Sequence, residues 1–525
     1  MNSRVSLIAV LLLGIPAGAW ADGSAASVEL QVEADHPGAR IDRNIFGQFA
    51  EHLGAGIYGG VWVGKASPIA NVRGIRSDVV AALRALKVPN VRWPGGCFAD
   101  EYHWRDGIGA PERRKTTVNA NWGGAIEPNS FGTEEFMDFI EQIGSEAYVS
   151  VNVGSGTPHE AAEWLEYMTA GPATSAGQAR AANGHAEPYR IRFLGIGNES
   201  WGCGGAMTPE YYVSQLKIFS RYVRNYNSAQ TGEAAMRRIA VGPDGDHVEY
   251  TEAVMKAWQG KVWSWDIEGL SLHAYTTGGW PPRHPSMHFD EGEYAFMLQD
   301  TLAMDALIAK HSAIMDRYDP QKKIPLVVDE WGVWLAPLAG TNPGFLVQQN
   351  SLRDAVLAAL NLNIFARHAD RVRMANIAQM VNVLQAMIMT DGERMLLTPT
   401  YHVFRMYVPF QDATSLPVQV DAGTYAYGNA RLPRLDAIAA RDTRGSVWLA
   451  LTNVDPNQSV RVSARIAGVH PRAAVGEVLT ASGVDAVNSF DAPNTVAPRR
   501  YAGAVRDGAI MLDVPGKSVI VVHVQ

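Results

Sequence analysis

Between residues 44 and 383, short apolar or β-branched runs alternate with segments of helical period, and this alternation narrows the possible architectures more than any other feature. Eight runs can be marked, at 44–52, 88–94, 147–153, 191–198, 238–243, 269–275, 324–330 and 375–383. In residues 77–87, Val79, Val80, Leu83 and Leu86 share one face behind Ser77 as the expected N-cap. In residues 133–143, Phe136, Phe139, Ile140 and Ile143 do the same, with Glu134 and Glu135 near the positive helix start. Thr208-Pro209-Glu210 combines a cap, a proline suited to the first helical position and an early acid. Longer helical patterns cover 293–318 and 348–369. Strands alternating with helices imply a parallel sheet, and eight units over about 340 residues predict a closed (β/α)8 barrel. The rival, an open doubly wound sheet, would carry a glycine fingerprint after its first strand, where this chain reads FGQFAEHLG.

Past residue 390 the texture changes. Residues 446–453, 459–466, 509–514 and 518–524 read as strands separated by Gly, Asp, Asn and Pro turns, with no helical stripe of useful length between them. This predicts an antiparallel, jelly-roll-like β-sandwich. The fold expected is therefore a TIM barrel over residues 41–389 followed by the sandwich over 390–525, with a strand in 22–40 joining that sandwich.

Residues 1–21, MNSRVSLIAVLLLGIPAGAWA, place one cation before an apolar run that ends in a small-x-small site. That pattern reads as a signal peptide, with an uncleaved anchor as the alternative, and it predicts an exported protein, periplasmic or secreted, with no membrane attachment after cleavage. Lys and Arg number 45 against 53 Asp and Glu, so there is no basic footprint for nucleic acid. Hydrophobic residues make up 47%, which excludes disorder. The two cysteines, Cys97 and Cys203, could pair in an oxidising compartment, and spacing alone does not decide whether they do.

In a barrel of this kind the working residues sit at the C-terminal ends of strands. The fourth run closes in Asn198-Glu199 and the seventh in Asp329-Glu330, each glutamate flanked by Trp and Gly. A glutamate finishing a buried apolar strand is costly unless it is paired or used. Either could be an ion-pair partner, but two facing each other form the apparatus of glycoside hydrolysis. Eight tryptophans in or beside strand-end loops, among them Trp62, Trp93, Trp104, Trp122, Trp201 and Trp331, offer faces for sugar rings, although core packing accounts for such residues equally well. The other two are Trp334 and Trp280, the latter in the long loop 276–291, read as a subsite wall or a mobile loop.

NIFGQFAEHLG, VRWPGGCFADEYHW, GIGNESWG, SLHAY, VVDEWGVW and NIAQMVNV, in that order from residue 44 to 383, resemble the α-L-arabinofuranosidases of glycoside hydrolase family 51. The resemblance implies an exo-acting, retaining α-L-arabinofuranosidase acting on arabinoxylan, arabinan or derived oligosaccharides. It implies Glu199 as acid/base, Glu330 as nucleophile, Asn198 on the sugar 2-hydroxyl, Tyr275 orienting the nucleophile, and Glu51 and Gln379 on furanose hydroxyls. Trp334 and Cys97 complete the expected substrate-binding set. Many relatives carry Asn where this chain has Cys97, and a thiol cannot replace an amide's hydrogen bonds, so either a neighbour such as Asp100 or Glu101 supplies the contact or this loop is shaped differently. Cys203 follows Glu199 by four residues, so a bridge between the two active-site loops is an alternative to free thiols.

The resemblance further implies trimers or hexamers. No cofactor and no metal is expected: His284 and His288 lie among prolines, His159-Glu160 lacks a second histidine, and Asp244-Gly245-Asp246 is too short for calcium. Other readings are an endo-β-glucanase or β-xylosidase of the same clan, and a non-catalytic carbohydrate-binding protein.

Overall fold

The computed structural model describes residues 28–525. The leader expected over residues 1–21 lies outside the described residues. Eight parallel strands close into a barrel in sequence order: β1 (Gly47–Phe49), β2 (Asn90–Trp93), β3 (Glu146–Val151), β4 (Ile191–Ile196), β5 (Arg237–Ala240), β6 (Gly269–Thr276), β7 (Leu326–Val333) and β8 (Val372–Ile377). β8 pairs back onto β1 through Asn376 and Gly47, which completes the ring. The strands are buried on both faces, which explains why they read as continuous apolar runs.

Two expectations about local structure are corrected. The first run opens as a 3-10 turn, Arg43–Phe46, because the Asp42 side chain accepts the Asn44 N–H and turns the chain before β1. Ser77 is the first residue of helix Ser77–Leu86 and does not cap it; the preceding residue, buried Arg76, binds Asp78 instead. The other helical signals hold. Thr208 Oγ1 accepts from Tyr211 N, and helix Thr133–Ile143 ends on Gly144 at φ 73°, a left-handed cap that favours glycine.

The second domain is built on a ten-stranded sheet folded over an apolar core that includes Leu30, Leu451, Val462, Leu512 and Ile520. The N-terminal strand Val28–Val32 lies in this sheet, parallel to Val460–Ile466 and antiparallel to Val418–Val420. A helix absent from the sequence expectation, Pro399–Met406, precedes it, capped by Thr398 with a proline in its first turn. Phe404 in that helix stacks on Trp331 of β7. Helix Leu352–Arg367 is wedged between β7, β8 and the sandwich and is buried from Leu352 to Ala366. No helix among the described residues is long and apolar enough to cross a membrane.

Candidate active site

All but Asn198 of the eight expected site residues line one cavity of about 1060 Å³ at the C-terminal end of the barrel. A sharp turn after β4 presents Glu199: Gly197 has φ 91° and Glu199 itself φ 37°, a left-handed conformation that costs a non-glycine residue energy. Glu330 sits inside β7. A carboxylate oxygen of each lies within 4.8 Å of the other.

Three residues that sequence reasoning left without a role organise the pair. Arg92 on β2 donates from Nη1 to Glu330 Oε1 at 2.7 Å and from Nη2 to Asn198 Oδ1 at 2.5 Å, with Nε 3.6 Å from Asp329. His273 on β6 places Nδ1 2.8 Å from Glu199 Oε1 and Nε2 3.2 Å from Asp329 Oδ1. Asp329 also accepts from Tyr148 Oη at 2.7 Å. The signal that could have found them is charge inside apolar barrel strands, Val91-Arg92-Trp93 and Leu272-His273-Ala274.

Burial acts to lower the His273 pKa, but Glu330, Asp329 and Glu199 outweigh it and raise it to about 10, so the ring is an imidazolium at neutral pH. Burial acts to raise Asp329, yet Arg92, His273 and Tyr148 hold it below the usual carboxylate range. Glu199 is pushed up by burial and by the Glu330 charge, against the opposing pull of His273. Arg92 and His273 lie against Asp329 and Glu330, and the raised Glu199 pKa favours its protonated form.

Tyr275 donates from Oη to Glu330 Oε2 at 2.7 Å. At the inner end, Glu51 accepts from Phe98 N at 3.1 Å, Trp122 Nε1 at 2.9 Å and Gln379 Nε2 at 3.1 Å. Burial, then the Glu330 charge, raises Glu51 to about 7. Trp334 packs edge-on against Tyr275 and Trp280, with ring centroids 5.2 and 5.3 Å apart. Asn198 lies behind the wall, held by Arg92, with Nδ2 toward Cys203 Sγ. Asp100 accepts from Val153 N and Gly154 N beneath the loops, and Glu101 is exposed, so neither lines the cavity as the alternative to Cys97 required.

Cys97 and Cys203 form a disulfide joining the β2 and β4 loops, with Cys203 Sγ 3.4 Å from Glu199 Oε2. Its sulfurs carry no proton, so the Cys97 side chain has nothing to donate to a sugar hydroxyl. Glu199, His273 and Glu330 have the spacing of metal ligands, but both His273 ring nitrogens are engaged, Nδ1 by Glu199 and Nε2 by Asp329. His284 binds Glu293 and the Gly278 carbonyl rather than pairing with His288.

Two buried carboxylates facing across the mouth of such a barrel, beside an attached sandwich, define a (β/α)8 glycoside hydrolase. Two family models match: the α-L-arabinofuranosidase 1 domain over residues 82–260 and the α-L-arabinofuranosidase C-terminal domain over 329–518. A Bacteroides ovatus protein named intracellular exo-alpha-L-arabinofuranosidase is 43% identical over 502 residues, 95% of this chain and 96% of its own. The crystal structure of a family 51 arabinofuranosidase from Xanthomonas axonopodis pv. citri superposes with a TM-score of 0.92 at 51% identity, covering 95% of this chain and all of that one. An α-L-arabinofuranosidase from Thermotoga maritima, solved with arabinose, gives 0.81 at 29%, covering 95% and 99%. The chain belongs to the α-L-arabinofuranosidases of glycoside hydrolase family 51. The expectation of export is withdrawn, because the Bacteroides ovatus relative, matched over nearly its whole length, is named intracellular. A charged and apolar N-terminus is a local pattern that many chains can carry, and it does not outweigh that match.

Proposed function

We propose that this enzyme releases terminal α-L-arabinofuranosyl residues from arabinoxylan, arabinan or derived oligosaccharides with retention of configuration. The observation that carries this reading is the approach of Glu199 and Glu330 to within 4.8 Å, which leaves no room for a water between sugar and nucleophile. Glu330, receiving hydrogen bonds from Arg92 and Tyr275, attacks the anomeric carbon as the bond to the leaving oxygen breaks. The proton comes from Glu199. His273 Nδ1–H occupies Oε1, so the transferable proton sits on Oε2, facing the cavity beside the disulfide. Once Glu330 is esterified its charge is gone, the Glu199 pKa falls, and Glu199 takes a proton from the water that frees the sugar. The closed end made by Glu51, Trp122 and Gln379 supports exo action, since chain extension beyond the glycone has no exit there.

Assembly into trimers or hexamers belongs to this proposal. The exposed Tyr211, Ile218, Tyr222 and Trp263 supply apolar surface for such contacts, and analytical ultracentrifugation decides it.

The test is release of 4-nitrophenol from a panel of aryl glycosides. Preference for the α-L-arabinofuranoside is expected; preference for a xyloside or glucoside would keep the two-glutamate chemistry and overturn the glycone. Glu330→Ala abolishes turnover. Glu199→Ala spares the first step only for very good leaving groups, a selectivity of ~10²-fold or more against poor ones. Equal loss on all leaving groups would remove Glu199 from the acid role.

A further inference from the structure

Away from the catalytic mouth, a groove of about 890 Å³ opens where the sandwich meets the barrel. It shares no lining residue with the catalytic cavity. One wall is helix Pro399–Met406 with the turn Val408–Phe410 after it, and Ala85 adds to this side. Ala85 lies in the last turn of helix Ser77–Leu86, which leads into β2. The groove therefore belongs to the end of the barrel opposite Glu199 and Glu330.

The other wall is a face of the sandwich sheet. Strands Val447–Asn453, Ser518–Val524, Ala474–Leu479 and Arg499–Arg506 are neighbours in that order. In register, Trp448, His523, Val475 and Ala502 form one row across them. Val521, Glu477 and Arg500 lie in the next row on the same face. Further along this face Ala450 and Val521 join the barrel core, so the groove lies where the sheet emerges from the contact between the domains.

Its lining has the chemistry of sugar recognition. The Trp448 indole stacks on the His523 ring, with centroids 4.8 Å apart and planes inclined by 23°, and its Nε1 donates to Asp442 Oδ2 at 3.1 Å. Both contacts hold a flat apolar surface in place, and Val475, 40% exposed, extends it. Arg405 reaches across from the helix, and its Nη2 donates to both Glu477 carboxylate oxygens, at 2.7 and 2.6 Å. Arg500 is exposed and forms no ion pair among the described residues. An aromatic plane flanked by donors and acceptors suits a sugar ring, whose faces are apolar and whose edge carries hydroxyls. Other occupants fit less well. The two central strands are paired on both sides, so no peptide strand can insert on this wall. A formal net charge of −8, with both signs in the groove, disfavours nucleic acid.

We propose that this groove is a second carbohydrate site, taking a short neutral oligosaccharide with a ring face on Trp448 and hydroxyls on Arg405, Glu477 and Arg500. It is separate from catalysis and does not depend on which glycoside the enzyme cleaves. A volume of about 890 Å³ leaves room for more than one sugar.

The experiment is affinity electrophoresis of the full-chain Glu330→Ala variant through native gels containing soluble arabinoxylan, linear arabinan or β-glucan. Retardation by at least one polymer is expected. Adding Trp448→Ala weakens it ~10-fold or more in apparent affinity, whereas Trp448→Ala in the active chain keeps kcat/KM on 4-nitrophenyl α-L-arabinofuranoside. Should Trp448→Ala misfold, Val475→Arg fills the groove from an exposed strand position and must have the same effect. No retardation by any polymer, or retardation that survives both substitutions, would overturn the proposal. Sedimentation velocity reads the remaining occupant. An oligomer of the parent chain that either substitution dissociates would make the groove an interface between copies and overturn the sugar site.

Discussion

At the scale of single residues, the site is decided by charges that the strands bring in from the side. Glu199 and Glu330 stand out in the sequence because each ends or nearly ends an apolar run. Arg92, His273 and Asp329 also carry charge inside apolar strands, but nothing in their own windows shows which carboxylate they touch. Replacing His273 by Gln keeps a donor near Glu199 but removes a positive charge that favours its anion. The Glu199 pKa rises further, so the basic limb of the kcat/KM profile moves to higher pH. Activity on poor leaving groups falls within the ~10²–10⁴-fold range attributable to general acid catalysis. A variant with an unmoved limb would leave His273 only a packing role.

At the scale of elements, two features carry stability as well as position. The disulfide ties loops 106 residues apart, and replacing both cysteines by serine is expected to lower unfolding free energy by ~2–4 kcal/mol in urea titrations. The second is the start of helix Leu352–Arg367. Ser351 N and Oγ both donate to Asp354 Oδ2, and Arg353 Nε donates to Oδ1 at 3.1 Å, with both charged side chains fully buried. Asp354→Ala leaves a buried guanidinium without its counter-charge and should cost ~3–5 kcal/mol by the same titration. This helix was legible as a periodic pattern, whereas its burial on every side was not, because the sandwich that covers it comes from the far end of the chain.

For the whole molecule, buried carboxyls shape stability against pH. Burial raises Glu51, Asp100 and Glu134 each to about 7. A raised carboxyl stabilises the fold fully below its unfolded pKa, near ~4 for Asp and Glu, and that contribution is lost as pH rises through 7. The melting temperature should therefore fall between pH 5 and pH 8, as differential scanning fluorimetry would read. Asp100 Oδ2 is buried without a hydrogen-bond partner, so Asp100→Asn mimics the protonated form and should flatten that fall. A slope unchanged in the variant would remove Asp100 from the set.

The barrel was legible because a buried parallel strand and an amphipathic crossover helix each carry their period in consecutive residues. The sandwich strands were legible for the same reason, whereas the eight residues of Pro399–Met406 were too short to register as a stripe. The carboxylates were readable as polar endings on apolar strands. What the tertiary structure alone decided was their company and their protonation. Closure of the ring sets β2, β4, β6 and β7 around one cavity, and the charge of each group there depends on distances to residues on other strands. It also decided that Cys97 and Cys203 meet, and that a groove opens between the sandwich and helix Pro399–Met406, because neither loop approach nor empty space is written in any local run of residues.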